Sequence, residues 1–159
     1  MSADLHVILG DLVSVNHRLT RVAARAARGT ESPALWRTLS VLRSTGPIRL
    51  GELADLSRVS QPTATKLAGG LVARGWIERT NDPDDARVSL IASTPAGEAA
   101  LAAWRAELAA ALLPYFADLS AGDVETLERA VAILRDRVEA TERMAAPHRL
   151  AAEPTVTAR

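Results

Sequence analysis

Residues 58–66 of this sequence combine hydroxyl, amide and cationic side chains, and a second polar segment, residues 85–87, contains Arg87. Side chains of these types form hydrogen bonds with base edges and with phosphates. The sequence offers no competing covalent chemistry, because it contains no nucleophile–base pair, no carboxylate cluster and no glycine-rich phosphate loop. We therefore expect a binding protein and not an enzyme.

The histidines and cysteines do not indicate a metal site. The chain has no cysteine, which excludes disulfides, thiolate ligands and thiol redox switches. His6 and His17 are separated by roughly 16 Å along one predicted helix, and His148 lies near the C-terminus. We expect neither a metal nor any other cofactor.

Composition and charge describe the kind of domain that carries these segments. The 159 residues are 48% hydrophobic and 3% aromatic, which suits one domain of closely packed helices. No apolar run reaches the ~18 residues of a membrane span, and there is no signal peptide. These features predict a soluble cytoplasmic protein with no membrane partner.

The charge is neutral overall and unevenly distributed. Basic and acidic residues number seven and three in residues 1–49, five and six in residues 50–94, and seven and ten in residues 95–159. Nucleic-acid-binding domains are often basic. Binding to nucleic acid would therefore depend on a few well-placed side chains.

The first polar segment lies within a pattern of two short helices joined by a turn. Apolar spacing predicts helices over residues 50–56 and 61–74 with a turn at 57–60, and Ser60 is the expected N-cap of the second helix. The side chains predicted to face inward are Leu50, Leu53, Ala54 and Leu56 in the first helix and Ala64, Leu67, Ala68 and Leu71 in the second.

The second polar segment lies in a predicted hairpin. Residues 76–80 and 88–92 are strand candidates joined by a polar turn at 81–87. Two helices followed by a hairpin form a winged helix-turn-helix, which places its second helix in the DNA major groove. The expected fold is mainly α with a small β-hairpin wing, and residues 50–94 form the DNA-binding lobe.

Long helices are predicted on both sides of this lobe. Residues 3–27 and 120–144 each carry one apolar seam, further helices begin at Ser32 and Thr94, and Pro114 marks a kink or an end. We expect the two seams to pack against each other and against a second copy, giving a homodimer. A helical hairpin within one chain is the alternative. The seams are Leu5, Ile8, Leu12, Val15, Leu19, Val22 and Ala26, and Val124, Leu127, Val131, Leu134 and Val138.

These elements suggest a division of the whole chain. One domain would span residues 1–146, with dimerisation helices at 3–27 and 95–145 flanking the lobe. Residues 147–159 are polar and aperiodic, and we expect them to form a disordered tail.

Three segments resemble the MarR family of bacterial regulators. Residues 50–54 resemble the first helix of its DNA-binding motif, and residues 60–67 with 74–77 resemble its recognition helix and exit. Residues 82–87, followed seven residues after Arg87 by Thr94–Gly97, resemble its wing and next helix. The resemblance spans almost the whole chain and implies a homodimeric transcriptional regulator, usually a repressor, often released by a small aromatic or phenolic ligand.

The recognition helix departs from the family pattern at Gly69 and Gly70. The family usually carries polar or charged residues at these positions. Each glycine costs a helix interior about 1 kcal/mol relative to alanine. We expect a softer C-terminal half of this helix and a lower affinity for DNA.

The candidate DNA contacts come from the turn, the second helix and the wing. Gln61 can pair with adenine and Lys66 with guanine, while Arg87 suits the minor groove. Asp85 is expected to orient Arg87 or the turn. Arg58 and Arg74 are phosphate clamps or ordinary surface arginines. The full set is Arg58, Ser60, Gln61, Thr63, Thr65, Lys66, Arg74, Asp85 and Arg87, and the expected partner is double-stranded DNA with a palindromic operator.

A small-molecule effector is a further expectation that comes from the resemblance. The family's effector site lies where the dimerising helices meet the lobe, which makes His17, Trp36 and Trp104 candidate lining residues. Alternatively, the tryptophans belong to the core and His17 is a surface residue.

A second class of function is a winged-helix dimer that binds protein, as an interaction module or anti-repressor. The neutral lobe and the Gly69–Gly70 pair favour it. Binding to duplex DNA with a steep salt dependence would exclude this class.

Overall fold

The computed structural model describes residues 4–27, 31–82, 85 and 87–145, and its fold is mainly helical with one small sheet, as the sequence predicts. Gly29, the hairpin residues Pro83, Asp84 and Ala86, and the predicted tail 147–159 lie outside the described residues. The helices are α1 (Leu5–Ala26), α2 (Pro33–Thr45), α3 (Leu50–Ser57), α4 (Gln61–Ala73), α5 (Pro95–Leu112) and α6 (Ala121–Ala145). The strands are β1 (Ile48–Arg49), β2 (Ile77–Asn81) and β3 (Ser89–Ser93).

Three helices begin with the same local device, a hydroxyl N-cap followed by a proline in the first turn. The side chain of Ser32 accepts a hydrogen bond from the third backbone amide after it, and Ser60 and Thr94 do the same. The hydroxyl satisfies an amide that has no partner within the helix, and proline has no amide that needs one. The predicted starts of α2, α4 and α5 are confirmed.

The sheet is antiparallel with the order β1–β3–β2. Ile48 of β1 pairs with Ile91 of β3, and Asn81 of β2 pairs with Ser89. The two hairpin strands begin and end one residue later than predicted. β1 was not predicted, because two residues carry no periodic signal and form a strand only through pairing with β3.

The lobe core is the buried cluster between α2, α3, α4, the sheet and the start of α5. Leu39, Leu53 and Leu71 have no solvent exposure within it. The prediction that Leu56 faces inward is wrong, since 38% of it is exposed. The buried position one turn after Leu53 belongs to Ser57. The core residues are Leu35, Trp36, Leu39, Leu42, Ile48, Leu53, Ala68, Leu71, Ile77, Ile91 and Leu101.

The long helices α1 and α6 lie outside this core. α1 packs along α5, whereas α6 packs only sparsely on the rest of the chain. Most side chains of both apolar seams are exposed, including Val15 at 57% and Val131 at 50%. The chain therefore does not form the intramolecular hairpin of the two seams.

Pro114 lies in a short 3₁₀ turn, Leu113–Phe116, which follows the end of α5. The predicted end of that helix near Pro114 is confirmed. Among the residues that the structure describes, no helix is long and apolar enough to cross a membrane.

Candidate nucleic-acid interface

Helix α4 has one buried face and one polar exposed face. Ala64, Ala68 and Leu71 are buried at helical spacing. Lys66 lies on the opposite side of the helix, Thr65 lies at its flank and Gln61 lies in the first turn, and all three are exposed. Gly69 continues this polar side one turn later, and a β-carbon built there would meet no atom within 4 Å. This orientation follows from the apolar spacing alone.

The hydrogen bonds at the start of α4 separate capping residues from residues available for a ligand. The Ser60 hydroxyl caps the helix and lies 2.8 Å from the Thr63 hydroxyl. The Thr65 hydroxyl donates to the Gln61 carbonyl at 2.9 Å. Within the described ranges the Gln61 amide and the Lys66 ammonium make no hydrogen bond, so their donors and acceptors can serve a base edge.

The corner between α3 and α4 depends on Arg58, whose backbone is left-handed with φ 53°. Its amide donates to the Asp55 carbonyl, and the next amide, of Val59, donates to the Ala54 carbonyl. Val59 is half-buried in the corner, and the Arg58 side chain is exposed. The left-handed residue costs roughly 1 kcal/mol and directs the chain into α4.

Backbone hydrogen bonds hold the part of the wing next to Arg87. The Asp82 amide donates to the Val88 carbonyl and the Val88 amide to the Asp85 carbonyl, both at 2.9 Å. The Asp85 carboxylate accepts the backbone amide of Arg87 at 2.9 Å. Asp85 therefore shapes the turn through the backbone, while the Arg87 side chain is exposed.

The hairpin is fixed to the first turn of α5 by contacts that only glycine permits. The Thr94 amide donates to the Trp76 carbonyl at 3.0 Å, and the Thr94 hydroxyl donates to the Gly75 carbonyl at 2.6 Å. A β-carbon on Gly97 would overlap the Trp76 carbonyl oxygen. This close approach gives a physical reason for glycine at position 97, which the sequence analysis noted only through the family resemblance.

Arg74 is separated from the other candidate contacts. It follows the C-terminal end of α4, roughly 20 Å along the helix axis from Gln61. Its guanidinium forms an ion pair with Glu31 at 2.8 Å. The sequence analysis did not single out Glu31, since residues 43 positions apart reveal no pairing without the fold.

The three tryptophans form one stack. The Trp36 ring lies 5.2 Å from Trp76 and 5.1 Å from Trp104 between centroids, with interplanar angles of 24° and 11°. Trp36 is stacked with both other rings and only 8% of it is exposed, so a planar ligand has little access to it. His17 is exposed on α1. Trp76 was predicted only as the first residue of a strand.

Arg105 and Arg43 lie close enough to interact electrostatically. Arg105, next in sequence to Trp104, donates to the Ser40 hydroxyl of α2 at 3.3 Å. Burial, and secondarily the charge of Arg43, lowers the pKa of Arg105. This arginine stays protonated at physiological pH, and the region is therefore cationic. Among the residues that the structure describes, no cluster of histidines and carboxylates could hold a metal ion.

Comparisons with known proteins agree with this geometry. The family model of the MarR family matches residues 32–89. A "probable transcriptional regulator" from Pseudomonas aeruginosa is 31% identical, with a TM-score of 0.52 over 83% of this chain and 97% of that one. MarR from E. coli is 26% identical, with a TM-score of 0.62 over 79% and 95% of the two chains.

A transcriptional regulator from Thermotoga maritima shares the fold at 23% identity, with a TM-score of 0.66 over 86% of this chain and 96% of that one. None of the curated proteins matches the chain by sequence. The helix–turn–helix, the three-stranded sheet and the exposed face of α4 define a winged helix-turn-helix protein. The chain belongs to the MarR family.

Proposed function

We propose that the protein is a homodimeric, sequence-specific DNA-binding transcriptional regulator. The observation that carries the proposal is the exposed polar surface of α4, with Gln61 in the first turn and Lys66 opposite the stripe that is buried in the lobe core. Membership of the MarR family supports the same conclusion. A regulator of transcription would act in the cytoplasm, with repression as the expected mode.

The proposed contacts divide into reading and positioning groups. Gln61 and Lys66 would read base edges in the major groove, and Ser60, Thr63 and Thr65 would contact the same groove or its phosphates. Arg87 would enter the minor groove beside the wing, and Arg58 would bind phosphate.

The dimer is proposed from the exposed seams. The apolar side chains along α1 and α6 are separated from the lobe core and find no equivalent cover within the described chain. A second copy that presents the same seams would bury them around a two-fold axis. Two lobes related by that axis would bind a palindromic operator with half-sites ~10 bp apart.

Selection of bound fragments from the source genome tests DNA binding and yields the operator. On that operator, Arg87→Ala should weaken gel-shift affinity while helical content and oligomeric state stay the same. Lys66→Ala should alter preference at particular base pairs, because it removes a base contact. An unchanged affinity for Arg87→Ala would contradict the role of the wing.

The proposal also includes an effector site beside α5. Trp104 is half-buried and adjacent to the cationic Arg105, with Arg43 nearby. These side chains favour a small anionic aromatic molecule that contacts Trp104, with His17 as a further candidate lining residue. Quenching of tryptophan fluorescence by such a compound, together with release of the operator, would support it.

A protein-binding module remains the second candidate. The equal balance of charge in the lobe favours it, since residues 50–94 carry five basic and six acidic side chains. A DNA affinity that falls steeply with salt concentration excludes this candidate, because a protein interface does not release the counterions of a phosphate backbone.

A further inference from the structure

The guanidinium of Arg74 is already engaged by other groups of this chain. Its Nε and Nη2 donate to Glu31 Oε1 at 3.0 and 2.8 Å, and Nη2 also donates to Oε2 at 2.9 Å. Its Nη1 donates to the Gly70 carbonyl at 2.8 Å. These bonds use most of the five donors of an arginine. A DNA phosphate would also meet the negative charge of Glu31.

These bonds act on the weakest part of α4. Gly69 and Gly70 lower the helix propensity of the C-terminal half. The Arg74 side chain binds the carbonyl of Gly70 and connects it to Glu31, which directly precedes Ser32, the N-cap of α2. The soft half of the recognition helix is therefore attached to the start of α2.

The attachment continues into the tryptophan stack. The Arg74 guanidinium lies 5.7 Å from the centroid of the Trp76 ring, within cation–π distance. Trp76 stacks on Trp36 of α2, which stacks on Trp104 of α5. Arg74 thus connects the C-terminal end of α4 to the start of α2 through Glu31, and through the tryptophan stack to α5.

We propose that Glu31 and Arg74 form a strut, which fixes the orientation of α4 for DNA binding, and that Arg74 is a positioning residue without a phosphate contact. The inference rests on the proposed DNA-binding function. It assigns to Arg74 a different role from the phosphate clamp that its position in the sequence suggested.

The test uses Glu31→Gln, Arg74→Gln and the double variant on the operator duplex recovered by genomic selection. Arg37→Gln, at an exposed arginine of α2, is the charge-matched control. We expect each strut variant to bind about fivefold more weakly, on the scale of a well-formed surface ion pair. The affinity of the double variant for DNA should be no lower than that of the single variant with the lower affinity, because both substitutions remove the same contact.

Glu31→Gln is the decisive variant, since removal of a negative charge should by itself strengthen binding to DNA. Weaker binding by this variant supports the strut. Tighter binding, together with a log–log salt slope that is reduced by about 0.9 in Arg74→Gln but not in Arg37→Gln, makes Arg74 a phosphate contact and overturns the proposal.

Near-ultraviolet circular dichroism examines the strut without DNA, because the stack contains all three tryptophans of the chain. Glu31→Gln and Arg74→Gln should change the aromatic bands alike, and Arg74→Lys should not restore them, since lysine lacks the planar fork. Wild-type protein that binds no DNA overturns the proposed function. Unchanged bands and unchanged binding in Glu31→Gln overturn the strut alone.

Discussion

The lobe core and the long helices α1 and α6 use the same apolar spacing with opposite results. Leu39, Leu53 and Leu71 are fully buried within one chain, whereas Val15 and Val131 remain half-exposed. Helices α2, α3 and α4 pack against one another and against the sheet. By contrast, α6 packs only sparsely on any other element. An amphipathic pattern therefore shows which side of a helix needs cover, but not whether its own chain provides that cover.

The largest expected effect concerns the α6 seam. Leu127 is 47% exposed in one chain and would be buried in the proposed dimer. Because a two-fold dimer contains Leu127→Glu twice and burial of an unpaired carboxylate costs several kcal/mol, the dimer dissociation constant should rise roughly a thousandfold. Sedimentation equilibrium measures it.

Ile133→Glu is the matched control for that experiment. Ile133 is 55% exposed and lies on the opposite side of α6 from Val131, since two residues turn a helix by about 200°. The control should leave the dimer unchanged. Equal effects of both substitutions would place the interface elsewhere. A monomeric wild-type protein would show that no second copy covers the seams of α1 and α6.

The next effect concerns the junction where the lobe meets α5. Gly97→Ala places a β-carbon against the Trp76 carbonyl, and we expect unfolding in urea to show a loss of about 3 kcal/mol. Gly10→Ala, in α1, is the control because a β-carbon there meets no atom within 4 Å. It should stabilise by about 1 kcal/mol. Similar losses in both variants would contradict the close packing at Gly97.

Thr94 offers a smaller change at the same junction. Its hydroxyl accepts the Gly97 amide at 3.1 Å and donates to the Gly75 carbonyl at 2.6 Å. Thr94→Ala removes both bonds and should cost about 1.5 kcal/mol in urea unfolding. Thr94→Ser should retain most of the stability. If Thr94→Ser lowered the free energy of unfolding as much as Thr94→Ala, the effect would come from the threonine methyl group and not from the hydroxyl.

The smallest expected effect is a gain within the lobe. Gly69→Ala adds a β-carbon that meets no atom within 4 Å, so the free energy of unfolding should rise by about 1 kcal/mol. Hydrogen exchange of the α4 amides should become slower. Gly75→Ala is the control with the opposite sign, because the backbone there is left-handed with φ 67°. No gain from Gly69→Ala would mean that the glycines do not soften α4.

Helix starts were predictable because their causes are local. Ser32, Ser60 and Thr94 each precede a proline, and each caps its helix as expected. Leu56 was placed incorrectly, because a short helix with several apolar residues does not specify its buried side without its neighbours. β1 was missed since its two residues form a strand only opposite β3.

Some parts of the candidate site were likewise predictable from local sequence, and others were not. The polar face of α4 was predictable, because the apolar stripe of Ala64, Ala68 and Leu71 defines the opposite side. The surroundings of Arg74 were not, because Glu31 is 43 residues away in sequence. The roles of all candidate DNA contacts stay predictions until the operator is known.

Propensities and periodicity within a few residues were enough to predict the order of helices, turn and wing, the caps and the apolar seams. The fold was needed to show that Gly97 packs on the Trp76 carbonyl, that the three tryptophans stack, and that Arg74 binds Glu31. Such contacts join residues far apart in the chain. They depend on how elements pack, and no local pattern encodes that.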